Sequence, residues 1–107
     1  MTQMNYLFKT GQGVHIIPTE SLLAVEVNDY LCTFYRENEV PNTCIESLQK
    51  VLSKLPDCFI RISRNCIINT LHVKSIDYKK RELKLAENKV FSFSVRNAKA
   101  LRKMFGK

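Results

Sequence analysis

Two groups of arginine and asparagine residues stand out in the sequence because both side chains can read nucleic-acid bases. The groups are Arg61, Arg64 and Asn65, and then Arg96 with Asn97. The arginine fork bonds guanine and the asparagine amide bonds adenine, each through paired hydrogen bonds. A third group could contact phosphates and consists of Lys79, Lys80 and Arg81. These residue types predict a nucleic-acid-binding surface made of turns and element junctions.

Other chemistry finds little support in the sequence. Neither His15 nor His72 has a serine, cysteine or carboxylate at a catalytic spacing, and the 3 glycines form no phosphate-binding loop. The cysteines lie at positions 32, 44, 58 and 66 and form no C-x-x-C pair, so a zinc site is not expected. We predict that the chain is not an enzyme and uses no cofactor, and that its cysteines are reduced thiols, most of them packed as small hydrophobes.

Positive charge is concentrated in the C-terminal half of the chain. Residues 1–58 contain 4 basic and 7 acidic residues, whereas residues 59–107 contain 13 basic and 3 acidic ones. An excess confined to one half favours an anionic partner surface. Nucleic acid is therefore the first candidate partner, and a solvated basic face without a partner is the alternative.

The length of 107 residues suits one domain with its own core. No apolar run approaches the roughly 20 residues of a membrane-spanning helix. The N-terminus also lacks the pattern of a secretory signal. We therefore predict a single domain over residues 1–107, located in the cytoplasm and without a membrane partner.

Short β-rich segments separated by polar turns run along most of the chain. Turns are predicted at residues 11–13, 28–29, 36–39, 79–81 and 87–89. The strict alternation of Glu82–Leu85 predicts a half-buried strand. Phe59, Phe91 and Phe93 are assigned to the core, since no RNA-recognition signature surrounds the last two.

Two segments have helical rather than β periodicity. Apolar residues recur at helical spacing over residues 45–55, and Thr43 with Glu46 forms a capping box. The first helix is therefore predicted to begin at Thr43 and to end before Pro56. Ser94 is predicted to cap the second helix, whose apolar positions are Val95, Ala98, Leu101 and Phe105. The opposite face of that helix is basic and carries Arg96, Lys99, Arg102 and Lys103.

Four segments, taken in order, resemble the LytTR family of DNA-binding domains. Residues 55–69 read LPDCFIRISRNCIIN and resemble the central motif L-p-x-x-F-x-R-x-H-x-S-[FY]-[VI]-[VI]-N, with Val73–Ile76 filling the I-x-x-I segment that follows. Residues 94–97, Ser-Val-Arg-Asn, are similar to the closing element in its AgrA-type form. Residues 25–30 and 45–55 resemble the upstream hairpin and helix. The resemblance covers a core of about residues 13–105.

The resemblance implies a mainly β fold, an elongated stack of small antiparallel β-sheets with one inserted helix and a C-terminal helix. Such domains insert loops into successive major grooves and bend the duplex. This implies sequence-specific binding of double-stranded DNA by a bacterial transcription regulator. By motif, DNA contacts are expected at Asn28, Asp29, Tyr30, Ser63, Arg64, Asn65, Arg96 and Asn97, beside the basic residues already named, Arg61, Lys79, Lys80 and Arg81. Asn69 matches the terminal asparagine of the motif, where a structural hydrogen-bonding role is expected.

Two departures from the family pattern limit what carries over. The family's usual histidine and serine are Ser63 and Asn65 here, so the base preference does not transfer. Most members also carry a receiver or membrane domain, so a receiver domain or a sensor is a possible partner. The chain is either a stand-alone regulator or the end of a larger one.

The small size of the module bears on how it would bind. One module covers roughly 600–1,000 Å², so two copies on tandem DNA repeats are expected. The alternative function is a basic β-domain that binds RNA or an acidic protein partner.

Overall fold

The computed structural model describes residues 4–106 and arranges them in three antiparallel sheets with two α-helices. The molecule measures 44 × 35 × 24 Å along its principal axes. This is the mainly β, elongated stack of small sheets that the sequence predicted, with one inserted helix and one C-terminal helix.

The N-terminal sheet is a two-stranded hairpin. Strand β1 spans Asn5–Thr10 and strand β2 spans Gly13–Pro18, joined by the predicted turn. Tyr6 lies opposite Ile17, and both side chains are buried against the rest of the molecule. Because side chains alternate along a strand, Leu7 and Ile16 form the outer face and are more than half exposed.

The central sheet has five strands in the order β5-β4-β3-β7-β6. Their bounds are Leu22–Asn28 for β3, Leu31–Arg36 for β4, Asn42–Ile45 for β5, Phe59–Ser63 for β6 and Cys66–Asn69 for β7. Strand β3 lies in the middle and is buried along most of its length. The predicted hairpin turn between β3 and β4 is present and contains Asp29 and Tyr30.

The third sheet has three strands in the order β10-β9-β8. Strand β8 spans Val73–Asp77, β9 spans Glu82–Leu85 and β10 spans Val90–Ser92. In β9 the side chains of Leu83 and Leu85 are buried, as the alternating pattern predicted. Short 3-10 helices precede β3, β8 and β10, at Thr19–Ser21, Thr70–His72 and Ala86–Asn88 respectively.

Two apolar cores lie on opposite sides of the central sheet. Helix α1, Leu48–Ser53, packs with Phe34 and Phe59 in the first core. Helix α2, Val95–Phe105, packs with the third sheet in the second core. Strand β3 contributes to both cores because its side chains alternate between the two faces of the sheet, and a register irregularity between Leu22 and Ala24 places the consecutive residues Leu23 and Ala24 in the same core. The core positions predicted for Phe59, Phe91 and Phe93 are confirmed.

The predicted start of the first helix at Thr43 is wrong. Asn42–Ile45 pairs with β4 as the edge strand of the central sheet, with Cys44 opposite Cys32. The helix begins at Leu48, and the Ser47 side chain caps it by accepting a 3.2 Å hydrogen bond from the amide of Lys50. Ile45 is 81% exposed and does not belong to the apolar stripe of the helix. Sheet pairing of this β-branched segment overrides its helical spacing.

The C-terminal helix begins as predicted, with Ser94 as its cap. Ala98 and Leu101 are buried, but Val95 is 69% exposed, so its assignment to the core is wrong. At 100° per residue Val95 lies about 120° around the helix from Leu101, which places it at the border of the apolar stripe. Phe105, in the last turn, is also partly exposed.

Candidate nucleic-acid interface

Backbone hydrogen bonds connect the four predicted contact segments in a row. The segments are residues 28–30, 63–65, 79–81 and 96–97. The amide of Val27 donates a 2.8 Å hydrogen bond to the carbonyl of Asn65. The tip of the β3–β4 hairpin therefore lies beside the β6–β7 turn, although the two are far apart in the sequence.

Two further backbone hydrogen bonds extend this row of segments. The amide of Ser94, which caps α2, donates a 2.9 Å hydrogen bond to the carbonyl of Ile62. The amide of Phe93 donates a 2.9 Å hydrogen bond to the carbonyl of Arg81, in the β8–β9 turn. The β6–β7 turn is thus next to the start of α2, and the basic β8–β9 turn follows.

The hairpin tip presents three exposed side chains, Asn28, Asp29 and Tyr30. Asp29 has φ 56°, a left-handed conformation that aspartate tolerates better than most residues. The Tyr30 side chain is 81% exposed at the turn. A shallow groove of about 430 Å³ runs from this tip to Arg61 and Arg64, with part of its wall formed by residues 45–48.

The β6–β7 turn is organised by Arg61. Its guanidinium donates a 3.2 Å hydrogen bond from Nε to the carbonyl of Ser63 and a 2.6 Å hydrogen bond from Nη2 to the carbonyl of Arg64. The Ser63 hydroxyl accepts a 3.2 Å hydrogen bond from the amide of Asn65. The side chains of Arg64 and Asn65 are exposed. In this predicted group, the side chains of Arg61 and Ser63 therefore shape the turn, and those of Arg64 and Asn65 project from it.

The β8–β9 turn carries the basic group. Lys79, Lys80 and Arg81 are all exposed. Arg81 has φ 55°, and the amide of Lys80 donates a 3.0 Å hydrogen bond to a carboxylate oxygen of Asp77. This bond and the one from the amide of Phe93 to the carbonyl of Arg81 hold the tight turn, which displays three cations next to the start of α2.

The start of α2 holds Arg96 and Asn97 in different surroundings. The Ser94 hydroxyl accepts a 3.1 Å hydrogen bond from the amide of Asn97 and donates one of 2.6 Å to Asn97 Oδ1. Asn97 Nδ2 in turn donates a 3.1 Å hydrogen bond to the carbonyl of Arg61. Arg96 is exposed. The side-chain amide of Asn97 thus bonds to other groups of the protein, whereas the side chain of Arg96 projects from the first turn of the helix.

The four segments carry a net positive charge, with five basic residues against one acidic residue, Asp29. Six cations lie in or next to the four segments, and they are Arg61, Arg64, Lys79, Lys80, Arg81 and Arg96. Further along α2 the basic residues are exposed, and Arg102 stacks over the ring of Tyr78 at 4.7 Å. Such a surface suits a polyanion, since phosphates are contacted mainly by arginine and lysine.

Features of other kinds of site are absent from the part of the chain that the structure describes. No group of three or more metal-ligating side chains occurs among residues 4–106. All four cysteines are free; Cys32 and Cys66 are buried, and burial raises the pKa of the Cys66 thiol. No helix within the described range is long and apolar enough to cross a membrane.

Comparison with known proteins agrees with this geometry. A family model described as the LytTr DNA-binding domain matches residues 12–106. The chain belongs to the LytTR family. A similar solved structure is the LytTr DNA-binding domain of a Bacillus cereus protein described as a methyl-accepting/DNA response regulator. It is 28% identical, with a TM-score of 0.80 over 96% of this chain and 97% of that chain. No significant match is found among curated proteins.

Membership of the LytTR family decides the kind of partner. The partner is DNA, the domain is of the type found in transcription regulators, and the family is a DNA-binding rather than a catalytic one. The resemblance drawn from the sequence motifs is therefore confirmed. The LytTR motif residues Arg61, Ser63 and Arg64 share the β6–β7 turn region, and the start of α2, which carries Arg96, bonds to the carbonyls of Arg61 and Ile62.

One part of the LytTR surface was missed by the sequence reasoning. Residues 45–48 line the groove beside the hairpin tip, but they were assigned to a helix. The alternation of exposure along Asn42–Ile45 follows the period of two that is typical of a strand. That alternation appears only in the structure, so the β-branched residues Thr43 and Ile45 were the sequence signal that favoured a strand.

Proposed function

We propose that this LytTR domain binds double-stranded DNA in a sequence-specific way by inserting its loops into successive major grooves. The observation that supports it best is the row of backbone hydrogen bonds that holds the four segments side by side. In this proposal Arg64, Asn65 and Arg96 bond to base edges, because arginine and asparagine have the donors and acceptors that bases match.

The remaining residues have two roles in the proposed complex. The hairpin tip, Asn28 to Tyr30, enters a neighbouring stretch of groove, with exposed Tyr30 at its end. Lys79, Lys80 and Arg81 neutralise phosphates, and Arg61 and Ser63 support the β6–β7 turn while adding charge and a hydroxyl beside the backbone. Asn97 contributes by its position at the start of α2.

We also propose that two copies bind tandem repeats on one face of the duplex. The area expected for one module is roughly 600–1,000 Å², which limits the affinity of a single copy. The two longer extents of the molecule are 44 and 35 Å. Repeats one helical turn apart are separated by about 34–36 Å, so copies with the 35 Å axis along the duplex lie next to each other, whereas the 44 Å axis is too long for that spacing.

We infer that the domain works in the cytoplasm, where DNA is accessible, and that a receiver domain or a sensor controls it. The support for this inference is family membership and the response-regulator description of the Bacillus cereus relative. In this view the 107 residues act as one DNA-binding unit.

The test is a binding titration against a random duplex, the matching single strand and an RNA of equal length, at several salt concentrations. A duplex site selected from a randomised pool is expected to bind most tightly. If about five phosphates are neutralised, log K against log salt has a slope of about −4 to −5. Preference for RNA, or a slope near zero on duplex DNA, would overturn the proposal in favour of RNA or an acidic protein partner.

A further inference from the structure

Asn97 connects two elements that are both proposed to read bases. Its Nδ2 donates a 3.1 Å hydrogen bond to the carbonyl of Arg61, in the middle of β6, and its Oδ1 accepts one of 2.6 Å from the Ser94 hydroxyl. The backbone amide of Asn97 donates to the same hydroxyl. Both the oxygen and the nitrogen of the side-chain amide are therefore bonded, and this amide joins the first turn of α2 to the neighbouring strand.

The strand residue that accepts this bond also controls the β6–β7 turn. The Arg61 guanidinium donates to the carbonyls of Ser63 and Arg64, which curls the turn around the guanidinium group. The Arg61 carbonyl accepts a hydrogen bond from Asn97 Nδ2, and the Ile62 carbonyl accepts one from the backbone amide of Ser94. Arg64 on the turn and Arg96 on the helix are thus connected through one continuous set of hydrogen bonds.

We propose that Asn97 is a positioning residue, which holds Arg96 at a set distance and angle from Arg64 and so determines the spacing between the base pairs that the two arginines read. This inference rests on the proposed function. Asn97 acts here through the protein rather than by contacting a base, although its residue type first suggested a direct contact.

The physical consequence is that the domain should discriminate strictly between DNA sites that differ in the spacing of the two base pairs contacted by Arg64 and Arg96. One inserted base pair displaces the next by about 3.4 Å along the duplex and rotates it by about 34–36°. A rigid pair of arginines cannot follow that change, so one of the two contacts is lost. Without the bond to Arg61, the start of α2 keeps the backbone bonds of Phe93 and Ser94 but loses its side-chain bond to β6, so it has more freedom to adjust.

The experiment compares two duplexes for each protein variant. The first is the best site selected by the unchanged domain, and the second carries one extra base pair between the positions protected by Arg64 and Arg96. The unchanged domain is expected to bind the second duplex about tenfold or more weakly than the first. For Asn97→Ala this ratio of affinities is expected to fall to about threefold or less, and its affinity for the first duplex is expected to be lower than that of the unchanged domain.

Two further variants keep the test decisive. Asn97→Asp retains an acceptor for the Ser94 hydroxyl near a helix N-terminus but cannot donate to Arg61, and its added charge cancels in the ratio of the two duplexes. Asn5→Ala, an exposed asparagine on the β1–β2 hairpin, is the matched control and should keep the full spacing penalty.

The outcomes separate this inference from the proposed function. If folded Asn97→Ala and Asn97→Asp both retain the full spacing penalty, Asn97 has only a structural role and the inference is overturned. If the unchanged domain binds selected and random duplexes equally, the proposed function itself fails. A loss of affinity by Asn97→Ala that is uniform on both duplexes also contradicts a positioning role.

Discussion

The buried side chain of Asn69 donates a 3.0 Å hydrogen bond from Nδ2 to the backbone carbonyl of Leu22, 47 residues earlier in the chain. The same nitrogen lies 3.3 Å from the carbonyl of Thr19, and Oδ1 accepts a 3.0 Å hydrogen bond from the amide of Leu71. Asn69 therefore joins the end of β7 to the start of β3. The structural role expected for this residue from the LytTR motif is confirmed.

Asn69→Ala should destabilise the domain by about 3 kcal/mol, because it leaves buried backbone groups without a partner and each such group costs about 1–3 kcal/mol. Urea denaturation followed by circular dichroism measures the change. Asn5→Ala, on an exposed asparagine, should leave stability nearly unaltered. Equal midpoints for Asn69→Ala and the unchanged domain would show that water replaces these bonds at no cost.

Phe59→Ala should lower the free energy of unfolding by about 3–5 kcal/mol, since the ring is buried in the core beneath α1 and its removal leaves a cavity. Thermal melting is the direct measurement. Ile45→Ala is a suitable comparison, because that side chain is 81% exposed, and it should change stability by less than about 0.5 kcal/mol. An unchanged melting temperature with weaker DNA binding would mean that Phe59 faces DNA rather than the core.

Arg96→Ala should reduce binding to the best duplex site by about 1–3 kcal/mol and to random duplex by far less. The reason is that Arg96 projects from the capped first turn of α2, where its backbone is held and its guanidinium can reach a base edge. Lys103→Ala, near the other end of the same helix, should weaken binding to both duplexes about equally. Identical behaviour of the two variants would reduce Arg96 to one more phosphate neutraliser.

Joint binding of two copies should depend on the phase of the tandem repeats. Moving one repeat by half a helical turn, about 5 base pairs, places the second copy on the opposite face of the duplex and should abolish joint binding. Gel shifts that resolve one bound copy from two provide the measurement, and a full-turn insertion is the control for added length. Equal occupancy at both spacings would argue against the paired arrangement.

Local signals in the sequence were sufficient to predict many helices and strands of this LytTR domain. Ser94 was identified as the cap of α2 because a serine before an amphipathic segment satisfies the free amides of the first turn. The alternation of Glu82–Leu85 identified β9, since side chains in a strand alternate between faces. The Arg and Asn groups were predicted to form an interface from their chemistry, which does not depend on the fold, and that assignment stays a prediction.

Contacts between segments that are distant in the sequence determined the features that the sequence did not predict. The helical spacing after Thr43 gave way to sheet pairing with β4, whose hydrogen bonds come from residues about ten positions earlier. Val95 proved exposed because it lies about 120° around α2 from Leu101, at the border of the face that packs into the second core. The sequence placed Asn97 beside Arg96 as a reader, and only the fold brought the Arg61 carbonyl within 3.1 Å of its amide. Capping and periodicity act over a few residues, whereas this bond joins positions 36 apart, and no local pattern encodes it.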